Sequence, residues 1–296
     1  MKKKLLHNQC GRLGEKIFSW GCISPSLIGV LAFFVIPFGI IIYYSLVNNP
    51  ILCEYVGLDN FRALIENKAF IKAVKNTFAF SVIAVPLAVI LPLLLSMLLE
   101  RALPAKSLLR SLFLCPLMVP TASVVIVWQV LFHQEGTVNE IAAHLGAAPI
   151  DWLKSDYSHV VIILMFIWKN LGYNMILFMS ALGNIPKDII EVADLEGASS
   201  WYKFIHIKLR YISPTIFFVL ILSLINSFKI FREVYLLTGS YPYGKMYMIQ
   251  HFMKNTFNSL DYQKLSAAAI LFSIFMIVII GILFIAENKF GKDVEE

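Results

Sequence analysis

The chain has 296 residues, of which 58% are hydrophobic and only 15% are charged, and its mean hydropathy is +0.74. A soluble domain is typically about 45–50% apolar and about 25% charged, so this apolar excess is larger than a soluble core can absorb. The composition therefore excludes a soluble enzyme and predicts a multi-pass membrane protein. The net charge of +6 bears on which side of the membrane is positive, and it does not indicate nucleic acid as a partner.

Six segments are long and apolar enough to cross a bilayer, whose core is about 30 Å thick and needs about 20 residues per helix. In chain order they cover 23–46, 77–99, 109–132, 160–182, 215–238 and 265–286. Four prolines lie inside these segments, which membrane helices tolerate when neighbouring groups bond to the freed carbonyls: Pro37, Pro86, Pro92 and Pro116. The pattern predicts an all-α fold in which residues 1–296 form one transmembrane domain.

The N-terminus is basic, and an apolar stretch longer than a signal-peptide core follows it without a small-residue cleavage site. We therefore expect an uncleaved first span. With the N-terminus inside, about fourteen Lys and Arg side chains fall in cytoplasmic segments and about eight fall outside, a bias that predicts both termini in the cytoplasm. Residues 59–75 have apolar side chains at helical spacing and are predicted to lie along the outer interface. One large cytoplasmic loop, 184–213, remains between spans four and five.

Catalytic and metal-binding residues are not indicated anywhere in the chain. The four cysteines have neither CxxC spacing nor the arrangement of a disulfide framework: Cys10, Cys22, Cys53 and Cys115. The six histidines lie in loops or near span ends and do not cluster. Residues 239–246 nearly match a phosphate-binding GxxxxGK[ST] loop, but Met246 replaces the hydroxyl residue that would bind magnesium. We expect no nucleotide or metal site in this chain.

The 184–213 loop begins with a short amphipathic helix. Pro186 suits its first turn, Asp188 and Glu191 favour the positive end of its dipole, and Gly197 can end it. Small residues would let another protein approach closely, and apolar residues would hold the end of the loop against the bundle. The small residues are Ala193, Gly197, Ala198 and Ser199, and the apolar residues are Ile207, Leu209 and Ile212. On these features alone, a simple connecting helix is an open alternative.

Five residues of this loop stand at a characteristic spacing: Glu191, Ala193, Gly197, Ile207 and Leu209. Their spacing resembles the EAA loop of permease subunits in binding-protein-dependent ABC importers, where Glu-Ala-Ala is followed by three residues, Gly, nine residues and Ile-x-Leu-Pro. Two positions depart from that pattern, because Val192 replaces an Ala and Arg210 replaces the Pro.

Further stretches resemble the carbohydrate-uptake branch of that family, in the same order and spacing. They are Gly57-Leu58-Asp59-Asn60-Phe61, Asn76-Thr77, Trp168-Lys169-Asn170-Leu171-Gly172-Tyr173-Asn174, Ser227-Phe228-Lys229-Ile230-Phe231 and Leu237-Thr238-Gly239. The Gly-Gly-Pro that usually follows the Thr is not kept. The chain thus resembles a maltose/sugar-type inner-membrane permease.

The resemblance implies the type I permease fold and a division of labour between subunits. The loop would dock in a groove of a separate ATPase, with Glu191 meeting a cation, Gly197 permitting close approach, and Asp194 and Ala198 in the same segment. The other partners would be a second, homologous permease, a second ATPase copy, an external binding protein, the sugar and the lipid bilayer. ATP and magnesium would bind the ATPase subunits, so this chain would hold no cofactor and would not be an enzyme. The expected location is the bacterial inner membrane.

Polar residues inside the spans are candidates for the substrate path, because charge at bilayer depth needs a partner or a watery route. The candidates lie on spans four and five: Lys169, Asn170, Tyr173, Asn174, Asn226, Lys229 and Glu233. Helical geometry places Asn226, Lys229 and Glu233 within an arc of roughly 80°, with Arg232 on another side. Lys229 and Glu233 could partly neutralise each other. The structural alternative is an internal ion pair with polar contacts between helices.

Three other functions are open from the residues alone. An ion-coupled secondary transporter would use Lys169 and the Lys229/Glu233 pair as a relay. A membrane enzyme lacks support, because no paired carboxylates or His cluster lie within the spans. An ABC permease for another polar solute, such as glycerol phosphate or a peptide, is the nearest alternative, and an anionic cargo would favour Lys169, Lys229 and Arg232 along the path.

Overall fold

The computed structural model describes residues 19–49, 51, 54–100 and 106–291. Several residues on which the sequence predictions rest lie outside these ranges: Lys2, Lys3, Lys4, Cys10, Arg12, Lys16, Cys53, Arg101 and Lys292. The described chain is almost entirely helical, and its one β-bridge joins Val47 to Tyr55. The predicted all-α class is therefore confirmed.

Thirteen helices, numbered α1–α13, account for most of the described residues. They are α1 (Ser19–Ser45), α2 (Asp59–Glu66), α3 (Lys68–Glu100), α4 (Lys106–Met118), α5 (Thr121–Leu131), α6 (Thr137–His144), α7 (Ser158–Gly183), α8 (Lys187–Leu195), α9 (200–211), α10 (Ser213–Lys229), α11 (Phe231–Thr238), α12 (Ile249–Asn258) and α13 (Tyr262–Gly291). The segment α9 is π-helical over Lys203–Lys208.

Five stretches are long and apolar enough to cross a membrane: α1, α3, α7, α10 together with α11, and α13. A sixth exists if α4 and α5 form one span, but the two helices are bent by 101°. The sequence predicted a single span over 109–132, and Pro120 explains the difference. Proline lacks the N–H that a continuing helix needs and pushes Val119 out of helical geometry, so α4 ends and α5 begins again at Thr121.

The segment 59–75 also differs from its prediction. Only α2 is a separate short helix, whereas residues 68–75 form the first two turns of α3. The 33 residues of α3 extend about 50 Å at 1.5 Å per residue, which exceeds the hydrocarbon thickness of about 30 Å. Lys68 and Lys72 therefore lie at the start of a spanning helix, and the interfacial position of the segment stays a prediction.

The described chain divides into two compact units, one within residues 19–64 and 260–272 and the other within 65–259 and 273–291. In the first unit, α1 contains a π-helical turn at Leu31–Val35 immediately before Pro37, where a proline would otherwise clash with the preceding turn. Asn60 donates to the carbonyls of Ser45 at 3.0 Å and Val47 at 2.9 Å, which holds the end of α1 in place.

The second unit has two apolar clusters along α3 and α7. One cluster packs α3 and α7 against α5 and α11, and Phe80 and Phe166 meet edge to face in it with ring centroids 5.5 Å apart. The other packs α3 and α7 against α10 and the ends of the 184–213 loop, and includes Phe178, Ile185 and Ile212. That residues 1–296 act as one domain stays a prediction.

Within the second unit α7 and α4 approach each other closely at Gly172. A Cβ added to Gly172 would lie 1.9 Å from the backbone oxygen of Phe113, so the two helices meet backbone to backbone. Small residues permit such contacts between membrane helices. Gly172 is thus required by the packing of α4 against α7.

We predict that Gly172→Ala destabilises the purified protein by about 1–3 kcal/mol, because the methyl group must push α4 away from α7. The measurement is thermal unfolding in detergent. Gly183→Ala is the matched control, because it lies in the same helix and its added Cβ meets nothing within 4 Å. Equal stability of the two variants would contradict the close contact.

Candidate functional site

The central polar feature of the second unit is an ion pair between Lys169 of α7 and Glu233 of α11. Glu233 is only 5% exposed, and Lys169 is half-buried. The Lys169 ammonium also donates to Thr121 Oγ1 at 3.4 Å. Because Thr121 begins α5 and Glu233 lies just after the break between α10 and α11, the pair holds together the two interrupted spans. We call Lys169 and Glu233 the buried charge pair.

The ion-pair partner of Glu233 differs from the one that the sequence suggested. Helical spacing suggested Lys229 as its neutralising neighbour and put Arg232 on another side. In the structure Glu233 points inward to Lys169, whereas Lys229 and Arg232 are both exposed. The periodicity of one helix cannot reveal a partner that is 64 residues away on another helix, and the interhelical pair satisfies the buried carboxylate better than an exposed lysine can.

A second contact joins α7 to α10. The side-chain amide of Asn226 donates to the Oδ1 of Asn170 at 3.0 Å, and both residues are half-buried. Tyr173, three residues after Asn170, is 39% exposed. We call Asn170 and Asn226 the amide pair. Its remaining polar atoms and the neighbouring Tyr173 ring lie where a ligand at the surface of the unit could reach them.

Asn174 lies deeper and has a different environment. It is 1% exposed and donates to the carbonyl of Ala88 at 2.7 Å and to the hydroxyl of Ser223 at 3.0 Å. The Ala88 carbonyl is free because its normal helical partner, four residues on, is Pro92, which has no N–H. In this conformation Asn174 therefore joins three helices and offers a ligand no surface. This is the neighbour-supplied hydrogen bond that the intramembrane prolines require.

The 184–213 loop is built around the turn at Gly197. The N–H of Ala198 donates to the Ala193 carbonyl at 2.9 Å, and the N–H of Gly197 donates to the Asp194 carbonyl at 3.1 Å, which together form a Schellman motif. Gly197 has φ of +76°, a conformation that costs side-chain-bearing residues about 1–2 kcal/mol. Ser199 then caps α9 by accepting from the N–H of Tyr202. The predicted end of the first loop helix at Gly197 is confirmed.

Ion pairs and apolar contacts attach the loop to the bundle. Lys208 of α9 bonds Glu100 at the end of α3 at 2.6 Å, and Lys203 pairs with Asp194 across the turn. Ile212 is fully buried, and Leu209 packs against the same apolar cluster, as the sequence predicted for both residues. Ile207 is half-buried and is not part of that cluster. The loop is thus held to α3, α7 and α10.

The exposed surface of the loop carries large apolar side chains. Leu195 is 89% exposed, Trp201 69% and Val192 54%. Glu191, beside them, is exposed and has no hydrogen-bond or ion-pair partner among the described residues. Sequence analysis identified Glu191 but missed Leu195 and Trp201, whose signal was their apolar character in an otherwise polar loop.

The small residues of the loop do not all lie on this exposed surface. Ala193 is 8% exposed and faces its own chain, where its size lets α8 approach α9. Gly197 is exposed, and an added Cβ would meet nothing within 4 Å. Ala198 is half-buried. Of the small residues expected to admit a partner, Gly197 and Ser199 are exposed, and Gly197 has open space around it.

The near-match to a phosphate-binding loop has a structural explanation. Residues Gly244–Met246 form a single 3-10 turn, and Met246 is fully buried in the apolar cluster of α5, α7 and α11. Asn76 of α3 donates to the carbonyls of Gly244 and Tyr247 at 3.0 and 2.9 Å, and Thr77 accepts from the N–H of Ile249 at 2.9 Å. The Asn76-Thr77 motif therefore attaches this turn to α3.

His251, in the first turn of α12, is the most strongly perturbed titrating group outside the spans among the described residues. It is 1% exposed, and its Nδ1 accepts from the backbone N–H of Met248 at 3.3 Å. Its Nε2 has no hydrogen-bond partner. Burial, with Lys254 nearby, lowers the pKa of His251 to about 4, because a protonated ring would be desolvated there. The folded protein therefore holds His251 neutral.

Comparison with known protein families identifies the family of this chain. A family model described as the inner membrane component of binding-protein-dependent transport systems matches residues 103–295. The chain belongs to this family. It is therefore an inner-membrane transport component, and the resemblance noted in the 184–213 loop is confirmed.

Curated relatives and solved structures agree with this assignment. The trehalose/maltose permease protein MalF of Thermococcus litoralis is 29% identical over 276 residues, covering 92% of this chain and 93% of the relative. The arabinooligosaccharide permease protein AraP of Bacillus subtilis is 30% identical over 221 residues, covering 72% and 70%. A chain of a bacterial alginate ABC transporter, crystallised with a periplasmic protein bound to an alginate pentasaccharide, matches with a TM-score of 0.84. It is 20% identical, covering 95% of this chain and 98% of that one, so it shows the shared fold.

We predict that Lys169→Met destabilises the transport component by about 3–5 kcal/mol, because it leaves the Glu233 carboxylate buried without a partner. Thermal unfolding in detergent measures the effect. The double variant Lys169→Met/Glu233→Gln should recover part of the loss. Lys72→Met, which removes an exposed lysine, is the control and should change stability by about 0.5 kcal/mol or less. If the loss of stability in the double variant equals the sum of the losses in the two single variants, the ion pair is contradicted.

We also predict that acidification destabilises the protein through His251. An unfolded histidine has a pKa near 6.5 and the folded one about 4, so below pH 6.5 protons bind the unfolded state preferentially. Stability is therefore fully present above pH 6.5, and about 2 kcal/mol is lost by pH 5. Comparing unfolding temperatures at pH 7.5 and 5 tests this. The variant His251→Asn, which keeps an acceptor but cannot titrate, should lose less over the same range, and an identical loss would contradict the assignment.

Proposed function

We propose that this chain is a permease subunit of an ATP-driven importer that moves a sugar or oligosaccharide into the cytoplasm. Family membership supports the transport role, and the names of relatives such as the trehalose/maltose and arabinooligosaccharide permeases support the cargo. The 184–213 loop would couple the chain to a separate ATPase subunit. ATP and magnesium would bind that subunit, so the permease itself would catalyse no reaction.

The observation that carries this proposal is that the 184–213 loop is attached to the bundle and still exposes large apolar side chains. It is attached through Lys208, Leu209 and Ile212, and it exposes Leu195, Trp201 and the unpaired carboxylate of Glu191. Large exposed apolar side chains beside a charge are typical of a surface that binds another protein. A helix that only connects two spans does not need exposed apolar side chains of this size.

The attachment of the loop suggests how force reaches the membrane. The ion pair between Lys208 and Glu100 joins α9 to the end of α3, and the apolar cluster joins the loop to α7 and α10. A partner that pulls on α8 therefore moves the helices that also carry the buried charge pair and the amide pair. In the proposed importer, closure of two ATPase subunits would drive rocking of this permease against a second one.

The orientation and the remaining partners belong to the same proposal. Both termini and the 184–213 loop would lie in the cytoplasm, where the ATPases bind. An external binding protein would deliver the sugar to the opposite side. A second, homologous permease would complete the pathway. The residues proposed to lie at or near that pathway are Lys169, Asn170, Tyr173, Asn226, Lys229 and Glu233. Asn174 would hold the helices that carry them together.

The test is to express the tagged chain with its genomic neighbours and to measure co-purification of an ATPase and sugar-stimulated hydrolysis. We expect Glu191→Arg to lower the stimulated ATPase rate at least about tenfold without reducing membrane insertion, because it puts a cation where a cation is expected on the partner. Glu66→Arg, which reverses an exposed charge outside the loop, is the matched control.

Two Gly197 variants distinguish a requirement for the left-handed turn from a requirement for close approach of the partner. Gly197→Asn tolerates the left-handed turn but adds bulk, whereas Gly197→Ala adds little bulk but strains the turn. If the partner approaches closely, the Asn variant should lose more stimulated activity than the Ala variant. A chain that purifies alone and transports solute without ATP would overturn the proposal in favour of an ion-coupled transporter.

A further inference from the structure

Two cations lie exposed within a membrane-spanning segment. Lys229 ends α10 and Arg232 lies in the first turn of α11, inside the span Ser213–Thr238. Both side chains are exposed, and neither has an ion-pair or hydrogen-bond partner among the described residues. Because Ile230 between them keeps helical angles of −61° and −15°, the two residues are one helical turn apart. We call Lys229 and Arg232 the cation face.

The nearest carboxylate in sequence cannot neutralise the cation face. Glu233 is 5% exposed and pairs with Lys169 on α7, so its charge is already used inside the unit. Lys254 of α12 lies over the ring of Tyr235, 3.2 Å from its centroid, and Tyr235 follows Arg232 by three residues. A third cation therefore contacts a residue about one helical turn from Arg232.

Exposed charges at membrane depth cannot remain against lipid. A cation within the hydrocarbon region is costly to desolvate, so such residues face a watery pathway or a partner of opposite charge. The same side of α10 carries Asn226, one turn before Lys229, and its amide pair with Asn170. Lys229 thus lies one helical turn from the amide pair, and Tyr173 lies about one turn from the same pair on α7.

These groups together form a recognition set for a particular class of sugar. Amides exchange hydrogen bonds with hydroxyl groups, an exposed tyrosine ring packs on the apolar face of a sugar, and Lys and Arg bind carboxylate or phosphate oxygens with charge-assisted bonds. A neutral sugar would offer the two cations only hydroxyl groups in place of water. An anionic sugar would supply a counter-charge.

We propose that the cargo is an anionic carbohydrate, a sugar bearing a carboxylate or a phosphate, and that Lys229 and Arg232 bind its charged group during passage. This inference rests on the proposed importer function and deepens it. Lys169, which sequence reasoning grouped with these two cations, takes no part in binding the anion, because its charge is neutralised by Glu233.

The experiment uses the assembled importer in lipid nanodiscs with the binding protein encoded beside it. Matched pairs of probes differ mainly in charge: digalacturonate with galactobiose, and glucose 6-phosphate with glucose. Thermal shift of the binding protein selects the sugars that it accepts, and stimulated ATPase activity and uptake into proteoliposomes are then measured. We expect the charged member of a pair to be the accepted one, with the two pairs distinguishing carboxylate from phosphate.

Charge variants then test the cation face itself. Lys229→Gln and Arg232→Gln should each lower uptake of the anionic sugar by about tenfold, the value of roughly one charge-assisted bond. Lys229→Arg and Arg232→Lys keep the charge and should stay within about threefold of the unchanged protein. The loss in the Gln variants should appear mainly as a raised half-saturation concentration for the sugar.

The outcomes that overturn the inference are distinct from those that overturn the importer function. Acceptance of the neutral probes, with Gln variants as active as the unchanged protein, overturns the anionic cargo and leaves the importer intact. Gln variants that no longer co-purify with the second permease show that the cations bind a partner subunit, which also overturns it. Failure of every probe to stimulate hydrolysis, with no ATPase co-purifying, overturns the importer function itself.

Discussion

Lys169 and Glu233 are oppositely charged side chains on membrane-spanning helices, and Glu233, which is 5% exposed, needs a partner for its charge. Their ion pair determines where α7 and α11 must lie, and the contact of Lys169 with Thr121 adds the start of α5. The same requirement acts on the backbone, because Pro92 frees the Ala88 carbonyl and Asn174 supplies the missing donor. Satisfying polar groups inside an apolar bundle thus specifies which helices are neighbours.

Polar contacts with α7 lie beside two irregular places in the spans. Pro120 ends α4, and α5 begins again at an angle of 101°, whereas α10 passes into α11 at Ile230 with helical angles kept. At both places the polar groups nearby bond across to α7. Non-helical backbone at membrane depth is tolerated where other parts of the protein cover it, which the buried charge pair and the surrounding apolar cluster do here.

The 184–213 loop and the polar residues of the spans are connected through the same helices. The apolar cluster at the loop contains residues of α3, α7 and α10. The hydrogen bonds of Asn174, and the hydrogen bond between Ser227 and Ser81, join the same helices. Displacement of the loop therefore cannot be absorbed locally, because close-packed helices transmit strain. This connection supports a role in which an event at the loop changes access to the polar residues.

Local pattern in the sequence determined the apolar spans, the loop between the fourth and fifth of them, and the turn at Gly197, because each depends on residues close together in the chain. Pro120 could have predicted the break in the third span, since its effect is also local. The tertiary structure alone decided that Glu233 pairs with Lys169, that Ala193 faces inward, and that Lys229 and Arg232 share an exposed face. Periodicity places a side chain on its own helix, but its partner comes from whichever helix packs against that face.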